Sequence, residues 1–271
     1  MTYAALIVNV EARAPSDARV RLAAEVAGWF GAGLIGLAAE PLVAPPAHDA
    51  GLAYAATLLT QEAERVRALL ATAERRFRAA CPAEYAASAE WRSFAEPPAQ
   101  ALEREARSAD LLVVGKDGEA EAGEVLMQAG RPVLVVPAET ASLEARAVVI
   151  GWRDTPQARR AVADALPFLQ RAEQVLVLEV LGRGKQPAEA ARAGLEACVG
   201  LLARHGVAAR SEARPLQAPT VADEIIGAAQ ACDAGLIVSG GYGHVRLREW
   251  AFGGVTRDLL RRCPFSCLMS H

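Results

Sequence analysis

The chain has 271 residues, of which 52% are hydrophobic and 23% charged, with a net charge of −3. That length suits two domains of about 100–150 residues each, and the slightly acidic balance argues against a general nucleic-acid binder, which carries a basic stripe. No long uninterrupted apolar run marks a membrane span, and Met1-Thr2-Tyr3 is not followed by the stretches of a secretion signal, so a soluble, cytoplasmic protein is expected.

In chain order, short apolar runs alternate with segments of helical periodicity. Strands are expected at 6–8, 34–37, 87–94, 111–114 and 132–136, with helices at 17–27, 57–80 and 98–107 between them. The segment 137–142 reads as a linker. The pattern then starts again. Strands are expected at 148–150, 175–178, 208–214, 236–238 and 264–269, with helices at 157–169, 188–204 and 221–231. Thr220 followed by Asp223 is a helix-start signal. A proline precedes the fifth strand of each half, Pro132 and Pro264. The order β-α-β-α-β-α-β-α-β is therefore written twice, over 1–138 and 145–271. Strands alternating with helices predict two tandem open parallel five-stranded sheets, each with helices on both faces.

In such sheets ligands bind beyond the carboxyl ends of the strands. In the second half that position holds a glycine loop: Gly240, Gly241 and Gly243 follow the strand 236–238, and Gly253-Gly254 close the loop where a short helix begins. Glycine lets a backbone approach a ligand closely. A helix start offers free N–H groups suited to phosphate. The loop also carries His244, Arg246 and Arg248 against a single acidic residue, Glu249. In the first half the corresponding loop begins at Gly115 and Gly118, is seven residues shorter (Gly115 to Pro132 against Gly240 to Pro264), and carries Glu119, Glu121 and Glu124. Three carboxylates repel a phosphate. The sequence thus predicts one anion or nucleotide site, in the C-terminal half, and a degenerate copy in the N-terminal half.

Each of these residues also has a plainer reading. Gly240 and Gly243 serve a tight turn, Trp250 and Phe252 serve packing, and Asp154 with Thr155 caps a helix. Cys81, Cys198, Cys232, Cys263 and Cys267 are irregularly spaced and lack a histidine cluster, so reduced thiols and no metal site are expected. No Walker-type Gly-Lys-Ser/Thr loop and no Gly-x-Ser-x-Gly elbow occurs. No catalytic residue is therefore assigned.

The duplicated plan and the glycine spacing together resemble the universal stress protein family in its fused, two-domain form. Nucleotide-binding members of that family carry Gly, two residues, Gly, nine residues, then Gly followed by Ser or Thr; Gly240, Gly243 and Gly253 fit the spacing, while Gly254 takes the hydroxyl position and Thr256 lies two residues beyond. The family also places an aspartate after its first strand. Arg153 takes that position in the second half, with Asp154 one step on and Thr155 at the family's serine, whereas Glu11 takes it in the first half. The resemblance implies the adenine nucleotide alpha hydrolase-like fold and a stress-response binding or signalling role. It further implies ATP or another adenine nucleotide, with Mg as companion, held by Gly240, Gly243, Gly253, Gly254, Arg246, Asp154, Thr155 and Thr256. It implies pairing of the two domains through their fifth strands and leaves open a homodimer. A ligand-free interaction module and a slow ATPase stand as alternatives.

Overall fold

The structure, a computed structural model, describes residues 2–43, 52–86, 88–118, 120–182, 188–242 and 254–271. The first half runs β1 (Ala5–Asn9), α1 (Asp17–Phe30), β2 (Gly33–Ala39), α2 (Leu52–Ala80), α3 (Ala83–Ala86), β3 (Glu90–Phe94), α4 (Pro98–Glu105), β4 (Leu111–Gly115), α5 (Ala122–Gln128) and β5 (Val133–Val136). The second half runs β6 (Ala147–Gly151), α6 (Pro156–Leu169), β7 (Gln174–Leu181), α7 (Ala188–Arg204), β8 (Ala209–Pro215), α8 (Val221–Ala231), β9 (Leu236–Gly240), α9 (Gly254–Arg262) and β10 (Ser266–Ser270).

The inner strands are apolar on both sides because both sides are covered, whereas the edge strands β3 and β8 carry charged, half-exposed residues. Leu111, Leu112, Val113 and Val114 of β4 are all buried. Alternate residues serve opposite faces: Leu6 and Val8 pack into a core with α1, α2, α6 and α7, while Ile7 packs with α4, α5, α8 and α9. Each strand begins or ends where its chemistry requires. β5 starts one residue after Pro132, which has no N–H for a ladder.

The two sheets expected from the sequence are joined. Among the described residues the strands form one ten-stranded sheet in the order β3-β2-β1-β4-β5-β10-β9-β6-β7-β8. Every neighbouring pair is parallel except the central one. There β5 and β10 run antiparallel, with Val135 opposite Cys267 and Leu134 opposite Leu268. An apolar strand edge is an aggregation hazard, and this pairing covers two of them at once. Tyr3, Phe30 and Phe168 pack ring against ring across the same junction, with centroids 5.1–5.6 Å apart. The five cysteines are free thiols, four of them buried.

Candidate functional site

The site begins with a tight strand-to-helix turn. After Gly151 the chain runs through Trp152, Arg153 and Asp154 to Thr155, whose hydroxyl caps α6 by accepting from the Ala158 N–H at 3.2 Å. Pro156 follows at the first helical position, where its missing N–H is not needed. This turn brings the start of α6 against the end of β9. A β-carbon on Gly240 would stand 2.6 Å from the Ala158 nitrogen and 2.8 Å from the Gln157 carbonyl carbon. Only glycine permits that approach. Gly151 is confined in the same way, because a β-carbon there would stand 2.9 Å from Ile225 Cδ1 of α8. Beyond β9, Tyr242 takes a left-handed conformation, φ 51°, and its N–H donates to Thr256 Oγ1 at 3.1 Å. That bond ties the strand-end turn to the first turn of α9.

These elements enclose a cavity of about 220 Å³ at the carboxyl ends of β6, β7 and β9, facing the N-termini of α6 and α9. Trp152, Leu178, Val180 and Ile225 supply apolar walls, and Thr155, Gln157, Ser239 and Thr256 supply polar ones. No aspartate or glutamate stands among the described lining residues. Arg153 lines the cavity, and among the described residues no hydrogen bond or ion pair engages its guanidinium. Two further wall residues, Trp152 and Gln157, each hold a buried polar atom, Nε1 and Oε1, without a partner among the described residues. Unmet buried polar atoms cost stability.

The same place in the first half is full. Arg19, the third residue of α1, reaches back over the end of β1 and pairs with Glu11 at 2.8 Å. Its guanidinium also donates to the Asn9 carbonyl at 2.8 Å. Asn9 Nδ2 donates to Glu11 Oε1 at 3.1 Å, and Ser16 Oγ accepts from the Glu11 N–H at 2.9 Å. Glu11 is only 4% exposed. A β-carbon on Gly115 would collide with the Arg19 guanidinium, and one on Gly118 with Glu11 Oε1. The strand-end glycines of this half are thus in contact with the protein's own ion pair. Sequence reasoning assigned the degeneracy to Glu119, Glu121 and Glu124. Glu119 lies outside the described residues. Glu121 and Glu124 line a separate groove of about 670 Å³ with Lys116, Arg257 and Arg261. The Glu11–Arg19 pair was not foreseen, because Arg19 sits on the helix after the first strand rather than in the glycine loop. Setting α1 against α6 would have found it: Arg19 falls opposite Ala158, a methyl group.

The other expected site residues divide. Gly240, Thr155, Gly254 and Thr256 line the C-terminal cavity. Asp154 is not among its lining residues. It is half-exposed and pairs with Arg159 at 2.7 Å, which holds its carboxyl below the usual range. Gly243, Gly253 and Arg246 lie outside the described residues, as do His244, Arg248, Trp250 and Phe252. Trp152, Gln157 and Arg153 join the site as wall residues. Among the described residues no cluster of metal-binding side chains occurs and no helix is long and apolar enough to cross a membrane.

Solved structures place this architecture. A universal stress protein from Archaeoglobus fulgidus superposes with a TM-score of 0.67 at 14% identity, over 97% of this chain and 95% of that one. The fold is that of the universal stress proteins, written twice in one chain. A Pseudomonas aeruginosa protein bearing the same family name superposes with a TM-score of 0.58 at 17% identity, over 99% of this chain and 93% of that one. A protein of unknown function from the same organism gives 0.57 at 15% identity, over 99% and 92%. No protein-family model and no curated protein matches the sequence. At these identities the universal stress likeness speaks for the fold, and the chemistry rests on the cavity itself.

Proposed function

We propose that the protein is a binding and signalling module of the universal stress type, which holds an adenine nucleotide, ATP or a close relative, in its C-terminal half. The observation that carries this reading is the asymmetry of the two strand-end sites: a carboxylate-free cavity in one half and an ion pair in its place in the other. The N–H groups of Gly254, Val255 and Thr256, which have no partner among the described residues, and the turn at Gly240 suit a phosphate chain. The apolar walls formed by Trp152, Val180 and Ile225 suit a base. Gly243, Gly253 and Arg246 complete the proposed phosphate loop. Mg would arrive on the phosphates, since it favours a phosphate-bound, partly hydrated state and the described walls offer it no carboxylate. In this reading the segments 1–138 and 145–271 are two domains joined as an internal pseudo-dimer through β5 and β10. No catalytic role is assigned to any residue.

Calorimetric titration of the purified full chain with ATP, ADP and AMP tests the proposal, together with melting curves. A ligand that binds the native state raises its stability, by about 2.7 kcal/mol at a concentration one hundred times Kd. Absence of both heat and thermal shift at millimolar nucleotide would end the nucleotide reading and leave a fold that acts through its surfaces.

A further inference from the structure

We propose that helix α5 of the first half serves the site of the second half: Gly123 and Leu126 are positioning residues that hold the turn after β9, and through it the Thr256 hydroxyl, in place at the cavity. The contact stands on its own geometry, and its consequence for binding rests on the nucleotide reading of the cavity.

The turn at the end of β9 is a strained piece of chain. Tyr242 is a non-glycine residue at φ 51°. A side chain in that left-handed region is crowded by its own backbone, and such a residue persists only where its surroundings over-determine it. Within the second half two hydrogen bonds hold the turn. The Gly241 N–H donates to the Ser270 carbonyl at 2.8 Å, and the Tyr242 N–H donates to Thr256 Oγ1 at 3.1 Å. In both the turn takes part through its backbone, so neither fixes where the Tyr242 ring goes.

α5 supplies that constraint. A β-carbon on Gly241 would stand 2.7 Å from Leu126 Cδ2, and a β-carbon on Gly123 would stand 2.7 Å from the Tyr242 hydroxyl oxygen. Gly123 and Leu126 are three residues apart and share one face of α5. Each glycine thus accepts the bulk of the other element: Leu126 presses on the turn, and Tyr242 presses on the helix. Leu260 of α9 closes the same spot, its Cδ1 3.6 Å from the β-carbon position of Gly123. An interior packed this closely takes no extra atom without a shift.

The contact leads to the cavity in one step. Thr256 is buried and lines the cavity, while Tyr242 lines the groove on the other side together with Gly123 and Leu260. The Tyr242–Thr256 hydrogen bond joins the two spaces. A displacement of the ring by α5 therefore moves the residue that engages the Thr256 hydroxyl, in the first turn of the helix whose N-terminus faces the cavity. The first half, its own strand end occupied by Glu11 and Arg19, lends a wall to its twin.

A mutant cycle on the full chain tests this. Gly123→Ala adds only the methyl that meets the Tyr242 oxygen, and Tyr242→Phe removes only that oxygen. The next ring atom, Tyr242 Cζ, stands 3.8 Å from the methyl position, an ordinary contact. Alanine is the better helix former, so a loss on Gly123→Ala comes from the contact. Gly123→Ala alone is expected to speed amide hydrogen exchange at Tyr242 about tenfold, through local opening of the turn. It is also expected to weaken ATP binding in calorimetry at least about threefold. On the Tyr242→Phe background the same alanine is expected to change neither quantity. If Gly123→Ala leaves exchange at Tyr242 unchanged, or acts equally on both backgrounds, α5 does not position the turn and the inference falls, whatever the parent protein binds. If exchange follows the cycle while ATP affinity ignores it, α5 holds the turn without serving the site, and the inference falls as well. If exchange follows the cycle and the parent binds no ATP at millimolar concentration, the nucleotide reading falls and the placement of the turn by α5 stands.

Discussion

Arg19 and Ala158 occupy the same place in the two halves, and the strand-end cavity stands open in the half that carries the alanine. Both follow a strand, a tight turn and a helix start, and both stand beside a strand-end glycine, Gly115 or Gly240. In the first half the side chain reaches back and closes the site with a buried ion pair. In the second half the backbone itself makes the close contact, and the volume beyond it stays open. A duplicated fold can thus lose a site without losing a strand. The internal occupant pairs the charges of the first half, while the second half leaves Trp152 Nε1 and Gln157 Oε1 without a partner among the described residues.

The comparison breaks most visibly if the halves are made alike. Ala158→Arg places a long cation at the mouth of the C-terminal cavity, and it is expected to abolish nucleotide binding in calorimetry while far-UV circular dichroism stays native. Unchanged affinity would place the ligand elsewhere. The reverse change, Arg19→Ala, strips Glu11 of its counter-charge in a site that is 4% exposed. Breaking a buried pair costs about 3–5 kcal/mol, and urea denaturation should register that loss. A loss under about 1 kcal/mol would mean that the pair is well solvated and does not plug the site. Gly240→Ala forces a methyl to within 2.6 Å of the α6 backbone. The expected cost is about 1–3 kcal/mol, against near-neutrality for Gly254→Ala, where none of the described residues stands within 4 Å of the added carbon. Equal effects at the two glycines would show that Gly240 is not needed for packing.

The smallest effect concerns acid. Glu40, 1% exposed at the end of β2, pairs with Arg13 and Arg65. The Arg13 hydrogen bond is the leading cause that holds its carboxyl below its ordinary value of 4.5. A folded-state value below the unfolded one gives stability that is present above about pH 4.5 and is lost as pH falls further. Equilibrium unfolding at pH 7 and below pH 4 should therefore show a narrower gap for Glu40→Gln than for the parent protein. Parallel pH curves for the two would show that the pair contributes nothing to acid sensitivity.

Much of this was written in local sequence. The apolar runs at 111–114 and 236–238 needed only their composition to be read as buried strands, because a parallel sheet covered on both faces has no polar alternate positions. Thr155 and Thr220 announced helix starts, because a hydroxyl at the cap accepts from an otherwise unpaired N–H of the first turn wherever it occurs. The repeat predicted one site, in the C-terminal half, and a degenerate copy in the other; the glycines Gly240 and Gly254 line a cavity at the strand ends of the second half. Other features were legible only in part. Gly240 lines the cavity, as its place in the sequence suggested, and its missing β-carbon also makes room for Ala158, which the sequence did not show. Asp154 looked like a site carboxylate, yet Arg159, one helical turn further on, draws it away.

The sequence by itself determined the repeat and the parallel order within each half, because these follow from periodicity and turn chemistry acting over a few residues. The pairing of β5 with β10 was already implied by the family resemblance, and the structure supplies its antiparallel register; only the tertiary structure decided that Arg19 with Glu11 occupies the strand end of one half while Ala158 leaves that of the other open. Those outcomes depend on contacts between strand end and helix start, where a side chain's reach and the company it finds are fixed by packing.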